Sequence, residues 1–314
     1  MKKNYLSHIL LAYITAFLGM VSATSYSQEP EVFTIKDFDL LGKVKSCEVI
    51  TDYGKEYFEF NEKGLLIKTI TRYNEKDYDI TYYKFQGTDL SERRNEVYRD
   101  GVFDRNTSIA HVYAVDTIGK KRITEKIISY NEEFLDEYEY LYDIDDRLVK
   151  ITRSNNEGLD ETLVEYTAYK DESTVSHYLN GAIQKSVRTS TKKKKNGETE
   201  RIELIKEFLE GTPNKATENV YDKEGYLISR QSFAYDLKQK SFSPTKTTTY
   251  TYDTRGMLIA QFEKEKETLE EKEFIYQFDN GETGNWVKKI ITPENSFITR
   301  KIEYYPEEAV EIDE

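Results

Sequence analysis

The sequence repeats one short pattern that commits the chain to β-hairpins. Its clearest copy is YTYDTRGMLIAQF, residues 250–262. Two aromatic residues two positions apart share one face of a strand, and the Asp that follows can open a turn by bonding its own backbone. The glycine three positions later supplies the positive φ that closes the turn. Apolar residues then resume on a return strand, so the unit predicts two antiparallel strands joined by a tight turn.

Further copies of this unit run along the chain. Strong copies are NVYDKEGYLISRQ (219–231), FEFNEKGLLIKTI (58–70) and YLYDIDDRLVKIT (140–152), the last with an aspartate in the glycine position. YQFDNGETGNWVKKI (276–290) has a longer turn, and YAVDTIGKKRI (113–123) is a weaker copy. The turn and anchor positions of these six copies are Gly64, Gly119, Asp146, Gly225, Gly256 and Gly284.

The anchors lie roughly 28 residues apart or at multiples of that spacing, which allows two strands of seven to ten residues and two turns. Degenerate turns at 85–87, 169–171 and 196–197 fill the gaps and bring the series to nine units. Charged stretches at 74–77 and 264–267 are expected to be the reverse turns between units.

This pattern predicts an all-β fold of serial antiparallel hairpins, arranged as one long twisted and curled sheet. Sequence neighbours are spatial neighbours in such arrays. A sheet of about eighteen strands rarely stays open and flat, so we expect an open trough or a partly closed wrap. Residues 198–210 combine helical and alternating spacing of apolar residues and are interpreted as a strand. The lysine run at 192–195 is expected to be a solvated hairpin tip, with an anion or polysaccharide contact as the alternative.

The first residues have the three-part layout of a secretory signal peptide. Lys2 and Lys3 precede an uncharged, mostly apolar run at 9–21, which is too short for a spanning helix, and small residues follow it. A retained N-terminal anchor is the alternative. No cysteine follows the run at a lipidation position, so we expect an exported protein of the periplasm or cell exterior that is not lipid-anchored. The predicted organisation is signal peptide 1–27, linker 28–35, repeat domain 36–305 and acidic tail 306–314.

Composition excludes several classes of protein. The charged fraction of 33% argues against a multi-span membrane protein, and a single cysteine argues against a disulfide scaffold or a cysteine-rich metal site. The net charge of −13 argues against nucleic acid as a partner, because phosphate binding requires clustered positive charge. The aromatic content, with 26 tyrosines, argues against disorder.

Residues that could support chemistry are few, and the sequence predicts no catalytic residue, metal ligand or cofactor. His111 is expected to have a structural or surface role, and Cys47 to be a buried inert thiol on a strand. Asp143, Asp145 and Asp146 could hold Ca²⁺ through oxygen atoms but are interpreted as a hairpin turn. With 58 acidic residues, no carboxylate pair can be nominated for glycoside hydrolysis.

Aromatic side chains on a curved sheet are the remaining candidates for a ligand site, because exposed rings can stack on sugars. The same positions are also explained as the core of the repeat, since every unit carries them. The possible ligand-face residues are Tyr140, Tyr142, Tyr250, Tyr252 and Trp286.

The units YTYDTRGML, NVYDKEGYL and YLYDIDDRL resemble the YD repeats of the RHS family. The opening DLLGKVKSC (39–47) is similar to the leader of such repeats in secreted proteins of Bacteroidota. The resemblance spans roughly residues 36–305 and implies architecture far more than activity. Large RHS proteins wrap the repeat into a shell around a toxin, whereas this chain is short and shows no toxin-sized extension.

Three function hypotheses follow. The first is a non-enzymatic exported repeat protein that binds a protein or glycan, or acts as a scaffold, at the cell envelope. The second is an envelope hydrolase with an acidic pair in the trough of the sheet. The third is a toxin-neutralising or carrier partner. None of them requires a cofactor, nucleic acid, or a membrane span after signal cleavage.

Overall fold

The computed structural model describes residues 30–195, 197–280 and 284–306, which form twenty strands and a four-residue 3-10 helix, Ile35–Phe38. The predicted signal peptide, and the predicted tail beyond Pro306, lie outside the described residues. The strands are β1 (Val44–Thr51), β2 (Gly54–Phe60), β3 (Leu66–Arg72), β4 (Tyr78–Gln86), β5 (Asp89–Arg99), β6 (Val102–Asp116), β7 (Arg122–Ser129), β8 (Phe134–Tyr142), β9 (Leu148–Asn155), β10 (Gly158–Tyr169), β11 (Glu172–Leu179), β12 (Ala182–Lys193), β13 (Thr199–Leu209), β14 (Thr212–Tyr221), β15 (Leu227–Asp236), β16 (Ser241–Tyr252), β17 (Leu258–Glu265), β18 (Thr268–Phe278), β19 (Trp286–Thr292) and β20 (Ser296–Tyr304).

Every strand pairs antiparallel with the next one along the chain, and β1 also pairs with β20. The predicted series of antiparallel hairpins is therefore confirmed. The expected open trough is wrong, because the sheet is a fully closed barrel of twenty strands. The nine predicted units account for β2 to β19. The remaining two strands come from opposite ends of the chain and form a tenth pair, which leaves no unpaired sheet edge.

The closed ring gives the molecule two rims with different turns. The nine turns that follow even-numbered strands, together with the start of β1 and the end of β20, form what we call the anchor rim. The ten turns that follow odd-numbered strands form the return rim, which includes the predicted reverse turns at 74–77 and 264–267. With the usual strand tilt of roughly 35–45°, a circular ring of this size would measure roughly 37–43 Å between opposite backbone walls.

The buried side chains identify the face of the sheet that lines the lumen. Side chains alternate across a strand, and the two apolar clusters, one on β1 to β3 and one on β8 to β10, lie on the same face by register. Since a closed sheet shelters only its inner face, this face lines the lumen. The clusters contain Val44, Cys47, Val49, Phe58, Phe60 and Leu66, and Tyr140, Tyr142, Leu148, Ile151 and Val164.

The repeat pattern has a direct structural meaning at the anchor rim. The second aromatic residue of a unit is the cross-strand partner of the apolar residue that follows the anchor, as for Tyr142 and Leu148, or Tyr252 and Leu258. The register shifts by one residue immediately before this pair, which is a bulge of the kind that accompanies a three-residue turn. The units that carry the full pattern, such as those with Phe60 and Leu66 or Tyr221 and Leu227, therefore end in one inward-facing aromatic–aliphatic pair.

Consecutive units are joined by a recurring side-chain hydrogen bond. The Tyr166 hydroxyl donates to the carbonyl of Leu148 at 2.9 Å, and Tyr252 and Tyr276 do the same to Leu227 and Leu258. In each case a tyrosine reaches back to the first residue of the preceding strand. This bond satisfies a carbonyl that the bulge leaves out of the ladder.

The segment before β1 lies across the closing seam, and we call residues 33–41 the strap. On one side of the seam, the Ile35 amide donates to Gly64 O and the Leu66 amide to Phe33 O, both at 2.9 Å. On the other side, the Leu41 amide donates to Asn285 Oδ1 at 2.7 Å, and Arg300 donates to Phe38 O at 2.9 Å. The strap therefore ties β2 and β3 to β19 and β20.

The outer face carries ion pairs between neighbouring strands. Lys84 Nζ lies 2.9 Å from Glu92 Oε2 and Lys126 Nζ 3.4 Å from Glu137 Oε2, and Lys301 on β20 pairs with Glu48 on β1. Within the residues that the structure describes, no helix has the length and apolarity to cross a membrane.

The strap can be tested at Phe38, whose ring lies 4.5 Å from that of Phe58 and 5.4 Å from that of Phe60. We expect Phe38→Ala to lower the free energy of unfolding by about 3–5 kcal/mol, measured by denaturant titration, because it removes a buried ring. Phe297→Ala, at an exposed position of β20, is the matched control and should change it by less than about 0.5 kcal/mol. Equal effects of the two substitutions would contradict the strap's structural role.

Candidate functional site

The six predicted anchors all lie in turns of the anchor rim. Gly64, Gly119, Gly225 and Gly256 have positive φ, and Asp146 adopts the same conformation with φ 59°. Gly284 differs. A Cβ atom at this position would lie 2.2 Å from Asp279 Oδ1, so glycine is needed there because no larger residue fits. Of the degenerate turns, Asn196 lies outside the described residues.

In several units the Asp or Asn that precedes the anchor organises the turn as the sequence predicts. Asp253 Oδ1 accepts hydrogen bonds from the amides of Arg255 and Met257, both at 2.9 Å. Asp143 Oδ1 accepts from the amides of Asp145 and Arg147 in the same way. Together with the side-chain bond from Arg147, these contacts lower the pKa of Asp143, so its carboxylate is a turn element. No three His, Cys, Asp or Glu side chains among the described residues converge as metal ligands would.

The predicted ligand-face aromatics face the lumen, and most are sheltered. Tyr140, Tyr142 and Trp286 are buried, with exposures of 1%, 2% and 3%. Tyr252 is half-buried and stacks on Tyr226 at 4.9 Å, and Tyr250 is half-buried on the same strand. The structure therefore places three of the five in the core of the repeat, which is the alternative interpretation of these positions given by the sequence.

A network of polar side chains is buried in the lumen wall of β5 to β8. His111 Nδ1 lies 2.6 Å from Glu125 Oε1, and both residues are less than 10% exposed. Tyr113 donates to the same oxygen at 3.0 Å, and Tyr140 donates to Oε2 at 2.7 Å. Arg93 brings a guanidinium nitrogen to 3.1 Å from His111 Nε2. Both carboxylate oxygens of Glu125 are thus occupied.

The network keeps Glu125 ionised. Burial alone would raise the pKa of Glu125, but the hydrogen bonds from His111 and Tyr140 outweigh it and hold the pKa below its usual range. Burial and the neighbouring carboxylate raise the pKa of Tyr113, so its hydroxyl remains a donor. The sequence predicted a structural or surface role for His111, and the structure places it in this buried network.

A second buried cluster lies beside the strap, around Trp286. The Arg300 guanidinium stacks on the Trp286 ring at 3.5 Å, and Lys289 lies 5.8 Å from the same ring. Burial, followed by the charge of Arg300, lowers the pKa of Lys289 to about 8. Cys47 is buried nearby as a free thiol, and burial raises its pKa to about 11, which makes it unreactive at neutral pH.

The rest of the lumen wall, on β12 to β17, is lined by half-buried and exposed charges of both signs. Lys215 Nζ lies 3.0 Å from Glu207 Oε2, and Lys246 Nζ lies 2.5 Å from Glu263 Oε1. Arg230 donates to the buried Asn219 at 2.9 Å. The described lumen is therefore polar on one side and apolar at the strap and at β8 to β10.

Sequence reasoning missed Arg93 and Glu125, although a signal was present. In β7, Ile123, Glu125 and Ile127 share one face, so a carboxylate stands between two inward apolar residues. A charge at an inward position implies a partner. The partner could not be named without the register, which brings Glu125 opposite Tyr113, two residues from His111.

Comparisons with known proteins give weak structural likenesses. A porin-like protein from Bacteroides uniformis aligns over 83% of this chain and 96% of its own, with TM-score 0.32 and 10% identity. A porin-like protein from Bacteroides vulgatus aligns over 84% and 99%, with TM-score 0.24 and 9% identity. The Photorhabdus luminescens Tc holotoxin pore aligns over 76% of this chain and 18% of its own, with TM-score 0.17 and 8% identity. At these scores the likenesses carry no argument about function.

No protein-family profile matches this chain. No curated protein matches it either.

The buried network predicts a pH dependence of stability. Because Glu125 has a folded pKa below its unfolded value, its contribution is complete above the unfolded pKa and is lost as the pH falls through the folded pKa. Glu125→Gln should lower the free energy of unfolding by about 1–3 kcal/mol at pH 7. The difference between the two proteins, measured by denaturant titration, should shrink between about pH 5 and pH 3. A difference that stays constant over this range would contradict the assignment.

Proposed function

We propose that this protein is an exported, non-enzymatic repeat barrel that binds a protein or glycan, or acts as a scaffold, in the cell envelope. The observation that carries the proposal is the closure of the sheet, which takes the described chain from Val44 to Tyr304 into one ring. The strap before β1 packs against this ring across its seam. No described segment is left to form a separate catalytic domain.

The lumen also supports a non-enzymatic role. Ionisable groups on its wall are engaged with one another, as in the buried pair of His111 and Glu125 and the half-buried pair of Arg153 and Asp136 at 2.8 Å. A catalytic carboxylate acting as an acid is usually kept unpaired so that its pKa rises. Paired groups of this kind hold a wall together and orient its side chains.

We further propose that the hairpins are YD repeats of the RHS type. The Y-x-Y-D-x-x-G-x-L order is accounted for residue by residue in the structure: Tyr252 pairs with Leu258, Asp253 caps the turn, and Gly256 has the positive φ. The pattern of residues 1–27 supports export. The charged outer face, with its ion pairs between strands, supports a barrel that is surrounded by water.

Cell fractionation and binding measurements test the proposal. We expect the mature protein to be recovered from the periplasm or medium, with its N-terminus between residues 24 and 28 by mass spectrometry. The purified barrel should bind either glycans on an array or a protein of the envelope fraction. Recovery from the cytoplasm with an intact N-terminus, or the absence of binding in both assays, would contradict it.

One observation favours the hydrolase alternative. Glu263 on β17 and Glu270 on β18 are direct cross-strand partners, so their side chains share the lumen face. Two carboxylates within roughly 5–9 Å of each other can support glycoside hydrolysis. Under our proposal, neither the natural protein nor Glu270→Gln releases reducing sugar from envelope polysaccharides. Release by the natural protein that Glu270→Gln abolishes would establish the alternative.

A further inference from the structure

The outer face near the return rim carries a continuous row of aromatic rings across four strands. Tyr78 on β4 stacks on Tyr98 on β5 with ring centroids 4.6 Å apart. Tyr98 contacts Phe103 on β6 at 5.5 Å, and Phe103 contacts Tyr130, which follows β7, at 4.6 Å. We call these four residues the aromatic row.

The register shows that the row faces outward. Tyr98 is the cross-strand partner of both Tyr78 and Phe103, so the three side chains share one face. Val97, the neighbour of Tyr98, is buried toward the lumen, and alternation therefore turns Tyr98 to the outside. Tyr130 is 45% exposed at the end of the row.

Arginine side chains and further apolar residues extend the row into a surface. The Arg72 guanidinium lies over Tyr78 at 5.1 Å, and Arg105 lies over Tyr130 at 5.5 Å. Phe134 and Leu135, in the strand after Tyr130, are both exposed. From β3 to the turn after β7 the surface spans roughly 20 Å, which is enough for the central part of a protein interface.

The composition of this surface fits a protein partner. Tyrosine and arginine dominate the residues that carry binding energy between proteins, and exposed leucine and phenylalanine beside them add apolar area. A sugar would need an open ring face, whereas the stacking of Tyr78 on Tyr98 uses a face of each ring. The carboxylates along the same rim disfavour an anionic membrane surface.

The charges around the row specify the partner further. Asp100, Glu132 and Glu133 lie on the turns that border the row and have no ion pair within the described residues. Because Arg72 and Arg105 lie over rings of the row, whereas these carboxylates lie on the turns beside it, a complementary surface would be basic where it meets the turns and apolar at its centre.

We propose that the aromatic row and its acidic border form the docking surface for a protein that presents basic residues around apolar ones. This inference rests on the proposed binding function and gives it a location. On the lumen wall, by contrast, charged side chains such as Lys215 and Glu207 pair with one another.

The test uses the full mature protein and a synthetic 18-residue peptide of alternating leucine and lysine as the probe, with binding measured by fluorescence anisotropy. The variant Phe103→Ser/Tyr130→Ser should raise the Kd at least tenfold. The matched control Leu237→Ser/Leu269→Ser removes two exposed apolar side chains near the same rim, in the turn after β15 and at the start of β18, far from the row, and should leave the Kd within twofold of the natural value. Circular dichroism before binding confirms that each variant is folded.

The charge of the surface is tested separately. Glu132→Gln/Glu133→Gln should weaken binding of the lysine peptide at least threefold, and a leucine–glutamate peptide should not bind. Equal affinity of the row variant and the control variant would overturn the docking surface, as would binding of soluble glycans or phosphatidylcholine vesicles that the row variant alone loses. Equal affinity would leave the proposed function standing, because export and envelope binding are measured independently of the peptide.

Discussion

The pairing of β1 with β20 is the interaction on which the rest of the structure depends. An array of hairpins has two exposed edges, and each edge presents unpaired backbone groups that can bind another chain. Here the two ends of the chain supply the two edge strands, whose register places Cys47 opposite Ile302 and Val49 opposite Arg300. The strap adds side-chain and backbone bonds across the same seam. Closure therefore turns a linear repeat into a molecule with an inside and an outside.

The inner and outer faces of the barrel therefore have different roles. Inside, two separate groups of side chains stabilise the wall: the buried network of His111 and Glu125, and the cluster at Trp286. Within each group, the polar side chains are partnered by their own neighbours. Outside, ion pairs link several neighbouring strands, and an aromatic row lies near the return rim. Because the inward groups are already engaged, the outer face is where a partner would find side chains available for contact.

Local chemistry made much of the fold predictable. Tyr252, Asp253 and Gly256 are enough to predict a hairpin, because strand pairing, turn capping and positive φ all depend on residues within a few positions of one another. The closure of the barrel was not predictable from the sequence. Its two strands, β1 and β20, lie far apart in the chain, and no turn motif joins them. For the same reason the role of Glu125 could not be predicted, because its partner His111 becomes a neighbour only through the register of β6 and β7. The aromatics were predicted as a set, but their face depends on which way the sheet curls.

The most direct measurement is a disulfide across the seam. Glu48 and Lys301 are cross-strand partners on the outer face of β1 and β20, so Glu48→Cys/Lys301→Cys in a Cys47→Ala background should form an intramolecular bond on mild oxidation. A matched pair on distant strands, Glu48→Cys/Arg188→Cys, should not. Quantitative monomeric cross-linking of the first pair alone is the result that closure predicts. Its absence, or cross-links only between molecules, would show an open sheet and contradict the account.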